Sequence, residues 1–162
     1  FVAVGTAGSL VPDIGIGSMV LAQRALAEDG VAHLYLEGAS ETQPDQNLTD
    51  RWCRFNAHQK GSDLRPVSTW SFSCMFRETA SDVVRVRSRG CEVVDMETAT
   101  LYAFGQARRI PTLSLFVISD LISLEGWHPQ IKEPQVRALL HRVCEQAFEF
   151  ARAEARHLAG HS

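Results

Sequence analysis

The 162-residue chain lacks the features that mark several common classes of protein. No apolar run approaches the roughly 20 residues that a membrane-spanning helix needs. The net charge of −3 is too small to indicate nucleic acid or an anionic membrane as a partner. There is no internal repeat and no low-complexity tract, which argues against repeat architectures. What remains is 45% apolar and 22% charged residues, the balance and length of a single globular domain.

Cysteine is also scarce. The four cysteines, Cys53, Cys74, Cys91 and Cys144, lie far apart and form no C-x-x-C pair. A zinc site is therefore not expected, and no other metal or organic cofactor is predicted. Scattered single cysteines favour reduced, mostly buried thiols in a cytoplasmic protein.

Short apolar runs alternate with stretches of helical periodicity. Apolar runs predict strands at residues 1–4, 19–21, 30–36, 66–70, 92–94 and 112–118. Apolar residues at helical spacing predict helices from Asn47, over residues 98–109, and over 136–151 with Pro134 near the first turn. Residues 37–47 are polar and are predicted to form an exposed loop.

The segment SDVVRVRSRG, residues 81–90, is compatible with two structures. Its alternation of valine and arginine is typical of a strand. Its Ser-Asp start and Gly end are typical of a capped helix, which we favour. Strands alternating with helices predict an α/β fold with a largely parallel or mixed sheet.

Small or acidic polar residues follow three of the predicted strands. Gly5-Thr6-Ala7-Gly8 follows FVAV, Asp95-Met96-Glu97 follows EVV, and Ser119-Asp120 follows TLSLFVI. Ligands of α/β sheets bind at the carboxyl ends of strands. We therefore expect these three segments to converge on one binding site.

Each segment also has a purely structural interpretation. The glycines around Thr6 predict either a tight turn or a loop whose backbone amides cradle an anion. Asp95 could simply cap the helix that begins near Thr98, a role worth about 1 kcal/mol. Ser119-Asp120 could likewise cap a following element. Capping does not account for Glu97, which falls in the first turn of the predicted helix.

Taken together, VVDMETATLY, the SD that follows an apolar strand at 119 and the upstream VGTAG resemble the nucleoside phosphorylase and nucleosidase superfamily. RALAEDGVAHLYL and MFRETASDVVRVRSRG are similar to segments that lie between those motifs. The resemblance covers roughly residues 1–150 in the family's order. It implies a three-layer α/β/α domain with a central mixed, twisted sheet, in which residues 1–162 correspond to the carboxyl-terminal two-thirds of the family domain.

The resemblance implies cleavage of the N-glycosidic bond of a nucleoside through an oxocarbenium-like transition state. Phosphorolysis to base plus ribose 1-phosphate is the first expectation, and hydrolysis by water, as in the nucleosidases, is the alternative. The implied partners are a nucleoside and inorganic phosphate as co-substrate, together with further copies of the chain in a homo-oligomer.

The resemblance assigns four residues to the sugar and base. Glu97 matches the glutamate that accepts hydrogen bonds from the ribose 2′ and 3′ hydroxyls, and Met96 matches the methionine that packs on the sugar. Asp95 would border the pocket or hold its loop in shape. Phe76 matches an aromatic residue of the pocket wall, with packing in the core as an equal alternative.

The other implied roles concern the leaving base and the phosphate. Asp120 matches the general acid that protonates or hydrogen-bonds the base, at N7 of a purine, and Ser119 would orient it. Gly5, Thr6 and Gly8 would bind phosphate. The segment with Trp127 and His128 matches a mobile part of the family near the base, although a structural turn accounts for it equally well.

Three departures from the family weaken the expectation of phosphorolysis. Ala3 stands where phosphorylases usually carry an arginine, and Ser73 stands where many relatives carry an aspartate. Loss of a guanidinium weakens bidentate phosphate recognition. The chain also opens directly on FVAV without the family's amino-terminal third, so we expect a fragment or a shortened relative. A nucleoside-binding relative with impaired catalysis is the expectation from a different functional class.

Overall fold

A computed structural model describes residues 1–59 and 64–159. In these ranges the strands β1–β7 span Val2–Ser9, Met19–Ala27, Glu41–Thr42, Leu64–Ser71, Val93–Asp95, Leu113–Ile122 and Trp127–Pro129. The helices α1–α5 span Ala32–Tyr35, Gln46–Asn56, Ala80–Ser88, Thr98–Arg108 and Pro134–Ala159. A short 3₁₀ turn covers Met75–Arg77.

The strands form one mixed sheet in the order β3-β2-β4-β5-β1-β6-β7. β2 also pairs with β6, where Met19, Val20 and Leu21 lie antiparallel to Val117, Phe116 and Leu115. This extra pairing closes β2, β4, β5, β1 and β6 into a five-stranded barrel. The predicted α/β class and mixed sheet are confirmed. The sheet is more than the central layer of the expected α/β/α arrangement, because five of its strands close into a barrel.

Helices cover both faces of the sheet. Side chains alternate along a strand, so Val20 and Ala22 of β2 pack with Tyr102 of α4. Their neighbours Met19 and Leu21 point the other way, into a second cluster. That cluster includes Trp52 of α2 together with Val136, Val143 and Phe150 of α5. A third cluster joins α3 to the ends of β2, β4 and β5.

The buried hydroxyl of Tyr102 continues the pairing of β2 with β6 where the two strands separate. It donates to the carbonyl of Ala22 at 2.6 Å and accepts the backbone N–H of Ser114 at 3.0 Å. In the antiparallel register these two residues would form the next pair after Leu21 and Leu115. Burial raises the pKa of the Tyr102 hydroxyl, so the group stays protonated and able to donate. The hydroxyl thereby links α4 to the place where β2 and β6 meet, which we call the seam of the barrel.

Most long elements lie where periodicity predicts them. α2, α4, α5, β2, β4 and β5 are confirmed. The helix favoured for residues 81–90 is confirmed as α3; Thr79 and Asp82 form its capping box, and Gly90 follows it with φ +83°. The short segments differ more from the prediction.

Residues 30–36 form no strand. Asp29 Oδ1 accepts the N–H groups of Val31 and Ala32, which starts helix α1 instead. The predicted loop 37–47 contains β3, which pairs with Ala25 and Leu26 of β2 and buries Thr42. Both errors concern short segments whose structure is set by hydrogen bonds to neighbouring parts of the chain.

No helix in the described ranges is long and apolar enough to cross a membrane. All four cysteines are free thiols. The expectation that they are mostly buried is wrong, because Cys53 and Cys74 are exposed and Cys144 is only partly covered. Cys91 is buried, and burial raises the pKa of its thiol to about 11.

Replacing Tyr102 with phenylalanine tests the seam. Tyr102→Phe leaves a buried carbonyl and a buried N–H without partners, so we expect the free energy of unfolding to fall by about 2–3 kcal/mol. The matched control is the other tyrosine of the chain, Tyr35, which is partly exposed and packs edge-on against Phe104. Tyr35→Phe should change stability by less than about 0.5 kcal/mol. Urea denaturation measures both, and equal effects would refute the structural role of the Tyr102 hydroxyl.

Candidate active site

One cleft of about 690 Å³ collects the residues that the sequence singled out. Its walls are β1, β6, the loop between β5 and α4, the 3₁₀ turn and the segment that leads into β7. All nine predicted site residues line it: Gly5, Thr6, Gly8, Phe76, Asp95, Met96, Glu97, Ser119 and Asp120. The three segments therefore converge as expected, while the roles given to the individual residues stay predictions.

The segments converge for a different reason from the one expected. Gly5-Thr6-Ala7-Gly8 is not a loop, because β1 continues to Ser9 and pairs with β6 along this length. Ser119 and Asp120 likewise lie inside β6. β5 runs antiparallel to β1, and the pairing of Gly8 with Val94 brings the end of β5 to this place. A turn of backbone amides around Thr6 is therefore excluded as the shape of this wall.

A β-bulge aims Asp120 at the cleft. In the pairing of β1 with β6, Ala7 lies opposite Ile118 but Gly8 lies opposite Asp120, so that Ser119 is the extra residue. A bulge of this kind turns the next side chain to a new direction and is common beside active sites. Asp120 thus comes to lie against Gly8 instead of continuing the alternation of the strand.

Two donors hold the Asp120 carboxylate. The Ser119 hydroxyl donates to Oδ1 at 2.7 Å, and the indole N–H of Trp127 donates to Oδ2 at 2.9 Å. Ser119 is buried, which agrees with the predicted role of orienting Asp120. It does not cap a helix. Trp127 belongs to β7, which pairs with β6, so the segment forms a strand rather than an irregular turn.

Asp95 is the structural centre of the opposite wall. Its Oδ1 accepts the hydroxyls of Thr69 at 2.9 Å and Ser71 at 2.7 Å. Its Oδ2 accepts the N–H groups of Glu97 at 2.9 Å and Thr98 at 2.7 Å. Four donors satisfy a side chain that is only 5% exposed. The contacts of Asp95 therefore support the alternative that it holds the loop in shape. They do not support direct binding of a substrate by Asp95.

This loop presents Met96 and Glu97 to the cleft. Asp95 holds the backbone N–H groups of Glu97 and Thr98. The Ser73 hydroxyl, which donates to the Asp29 carbonyl at 3.0 Å, lies 3.5 Å from the Met96 carbonyl. The Glu97 side chain caps no helical N–H group, although Glu97 is the N-cap residue directly before α4. Partial burial raises the pKa of its carboxyl group, and the nearby negative charge of Asp95 raises it further. Glu97 thus lines the cleft with a carboxyl group that caps no helix.

Phe76 is not a core residue. Its side chain is 87% exposed at the mouth of the cleft, in the 3₁₀ turn Met75–Arg77. The alternative of plain core packing is wrong, because most of the Phe76 side chain is exposed.

Glu78 is a residue of the cleft that the sequence analysis did not single out. It directly follows the 3₁₀ turn, is half-buried and lines the same cleft as Asp120. Burial, and then the negative charges of Asp120 and Asp82, raise the pKa of its carboxyl group to about 7. A carboxyl group that titrates near neutral pH in a cleft is a candidate for proton transfer. No sequence signal marks it, because Asp120 is more than forty positions away.

A second cleft, of about 590 Å³, lies between α5 and β1. Its described lining is almost entirely apolar, with Glu154 as its charged residue. It offers no cluster of catalytic groups. Among the described residues, no group of three or more His, Cys, Asp or Glu side chains is arranged to hold a metal ion.

The sequence of the chain is similar to those of known proteins. The sequence model of the Phosphorylase superfamily matches residues 1–153. An uncharacterized protein of Acanthamoeba polyphaga mimivirus is 29% identical over 125 residues, which cover 77% of this chain and 47% of that protein. The DeoD-type purine nucleoside phosphorylase of Bacillus cytotoxicus is 25% identical over 122 residues, covering 75% and 52%. The chain thus spans about half the length of the curated relatives it matches.

Solved structures show the same fold. The purine nucleoside phosphorylase of Toxoplasma gondii superposes with a TM-score of 0.82 at 18% identity, over 96% of this chain and 64% of that one. The AMP nucleosidase of Bacteroides thetaiotaomicron gives 0.70 at 23% identity, over 96% and 61%. At these identities the likeness establishes the fold and nothing about activity.

Two glycines of β1 allow a matched test of the packing around Asp120. A Cβ atom on Gly8 would lie 2.7 Å from Asp120 Oδ2 and 2.8 Å from Ile122 Cδ1, whereas one on Gly5 would meet the Phe116 ring at 3.6 Å. We expect Gly8→Ala to lower the free energy of unfolding by about 1–3 kcal/mol. Gly5→Ala should be neutral or stabilise by up to about 1 kcal/mol. Chemical denaturation compares them, and a harmless Gly8→Ala would show that Asp120 does not lie against β1.

The raised pKa of Glu78 predicts a dependence of stability on pH. Between the ordinary value of 4.5 and about 7, the folded protein holds a proton that the unfolded chain has lost. The contribution of Glu78 to stability is therefore fully present below about pH 4.5 and declines as the pH rises through about 7. Glu78→Gln should remove this part of the decline. Unfolding free energies across this range measure it, with Glu149→Gln on the exposed face of α5 as control; parallel curves for wild type and Glu78→Gln would contradict the assignment.

Proposed function

The chain belongs to the phosphorylase superfamily, and from this premise we propose that it binds a nucleoside in the cleft and cleaves its N-glycosidic bond. The observation that carries the proposal is the convergence of Glu97, Met96 and Asp120 on one cleft of suitable size. A nucleoside needs groups for its sugar and for its base in one cleft, and these residues are our candidates for both.

Glu97 and Met96 form the proposed sugar site. A carboxylate accepts two hydroxyl hydrogen bonds at once, which suits the vicinal 2′ and 3′ hydroxyls of a ribose. The Glu97 side chain is free of a capping role, and Met96 is exposed beside it. The negative charge of Glu97 also stabilises the positive charge that develops on the sugar as the bond to the base breaks.

Asp120 is the proposed partner of the leaving base. A base leaves as an unstable anion unless a proton reaches one of its ring nitrogens, so a positioned acid group lowers the barrier. Ser119 and Trp127 fix the carboxylate in the cleft opposite the Glu97 loop. The matched relatives favour a purine, since several are purine nucleoside phosphorylases and one structural neighbour is an AMP nucleosidase.

Phosphate is the first candidate for the acceptor, because the matched curated enzymes are phosphorylases. Water is the second, and it is favoured by a specific observation. The segment Gly5–Gly8 is an extended strand rather than an amide-lined loop, and Ala3 of the same strand carries no charge.

An assay of free base from inosine, adenosine, uridine and methylthioadenosine, with and without phosphate, tests the proposal. Release from none of them would refute the proposed cleavage; equal release without phosphate would identify water.

Asp120→Asn tests the role at the base. The amide cannot deliver a proton to the base, so we expect kcat for a purine nucleoside to fall by about 10²–10⁴ with a smaller change in KM. Asp13→Asn is the control, since Asp13 pairs with Arg65 on the surface and does not line the cleft. Steady-state kinetics with chromatographic detection of the base measures both. An unchanged kcat in Asp120→Asn would remove Asp120 from the reaction.

A further inference from the structure

Glu78 occupies a rigid corner of the cleft. The 3₁₀ turn Met75–Arg77 ends directly before it, and its N–H donates to the Met75 carbonyl at 3.4 Å. Thr79, the next residue, is the N-cap of α3 and exchanges hydrogen bonds with Asp82 in a capping box. The backbone of Glu78 is thus held on both sides, and its half-buried side chain lines the cleft.

The charges around the Glu78 carboxyl group are negative. Asp120 on β6 and Asp82 on α3 both act on it, and Glu97 and Glu125 line other parts of the cleft. Within the described part of the chain, no hydrogen bond or ion pair to the Glu78 carboxyl group is found. Arg85, a cation on α3, is engaged by Glu28 at 2.6 Å and by Asp82 at 3.1 Å. This setting favours the neutral, protonated form of Glu78.

The environment of Asp120 is the reverse of that of Glu78, because hydrogen-bond donors contact its carboxyl group. Both of its oxygens accept hydrogen bonds, one from the Ser119 hydroxyl and one from the Trp127 indole, which can only donate. Each oxygen of Asp120 thus accepts a hydrogen bond from the protein, and neither donates one. The proposed reaction nevertheless needs a proton for the leaving base.

We propose that Glu78 holds, in the free protein, the proton that the leaving base receives, and that this proton reaches the base by way of Asp120. The inference rests on the proposed function. It deepens that function by dividing the acid role between two residues: Asp120 contacts the base, and Glu78 stores the proton. The two carboxyl groups line the same cleft in different environments, since Asp120 accepts two hydrogen bonds and Glu78 has no partner among the described residues.

In the proposed step each proton and each electron pair has a donor and an acceptor. The Glu78 carboxyl group gives its proton to the Asp120 carboxylate, which passes it to a ring nitrogen of the base. The electron pair of the bond between C1′ and the base goes to the base, and the acceptor, phosphate or water, bonds to C1′. When water is the acceptor, its own proton is released to solvent. Glu78 regains a proton from solvent after the products leave.

The test compares two substrates that differ in their need for a proton. Inosine requires one at its base, whereas 7-methylinosine already carries a fixed positive charge and leaves without one. For inosine, we expect kcat/KM of the wild type to fall as the pH rises above about 7, and Glu78→Gln to lower it about a hundredfold and to remove this decline. For 7-methylinosine, wild type and Glu78→Gln should be equal. Glu149→Gln on α5 is the matched control and should behave as wild type on both substrates.

The outcomes separate this inference from the proposed function. Equal losses on both substrates would mean that Glu78 acts only structurally, and no loss on either would mean that it is not involved; each overturns the inference while the cleavage itself stands. Failure of the wild type to cleave either nucleoside would refute the proposed function.

A titration of the Glu78 carboxyl carbon by NMR needs no activity. We expect a midpoint near 7 that falls in Asp120→Asn, because the neighbouring negative charge is lost. A midpoint at the ordinary value of 4.5 would overturn the inference on its own.

Discussion

The pairing of β2 with β6 is the constraint on which the rest of the structure depends. It closes five strands into a barrel in which β1 pairs with β6 along its length and with β5 across its end. Gly8 thereby lies beside Val94 on one side and Asp120 on the other. The Tyr102 hydroxyl continues the pairing where β2 and β6 part. Because α4 carries Tyr102 and starts directly after Glu97, the same seam also positions the Glu97 loop.

The acids of the cleft are satisfied to different degrees, and their proposed chemistry follows from that difference. A buried carboxylate without partners costs several kcal/mol. Asp95 avoids this cost through four donors and so acts as part of the scaffold. Asp120 has two donors, whereas burial, and then the negative charges of Asp120 and Asp82, raise the pKa of Glu78 to about 7. Of these three acids, Asp95 belongs to the scaffold, Asp120 is the proposed contact to the base, and Glu78 is the proposed store of a proton.

Sequence patterns predicted the elements whose stability is mainly local. α5 and α2 follow from the spacing of apolar residues, because these signals lie within a few residues of one another. α3 follows from Asp82 in its first turn and Gly90 after its end, although its N-cap is Thr79 rather than the predicted Ser81. β3 was missed because the distant edge of β2 determines it, whereas α1 was missed although its signal, Asp29, is local. The lengths of β1 and β6 were underestimated, because the mutual pairing of the two strands carries them through the glycines and through Ser119-Asp120.

The sequence by itself determined the family, nine of the residues that line the cleft and the helices that frame it, because these depend on residue identity and local spacing. Only the tertiary structure decided that the sheet closes, that a bulge turns Asp120 toward Gly8, that Trp127 binds Asp120, and that Asp95 belongs to the scaffold. It alone revealed Glu78. The physical reason is that hydrogen bonding and desolvation depend on groups brought together from distant parts of the chain. The local spacing of residues does not predict which distant groups will meet.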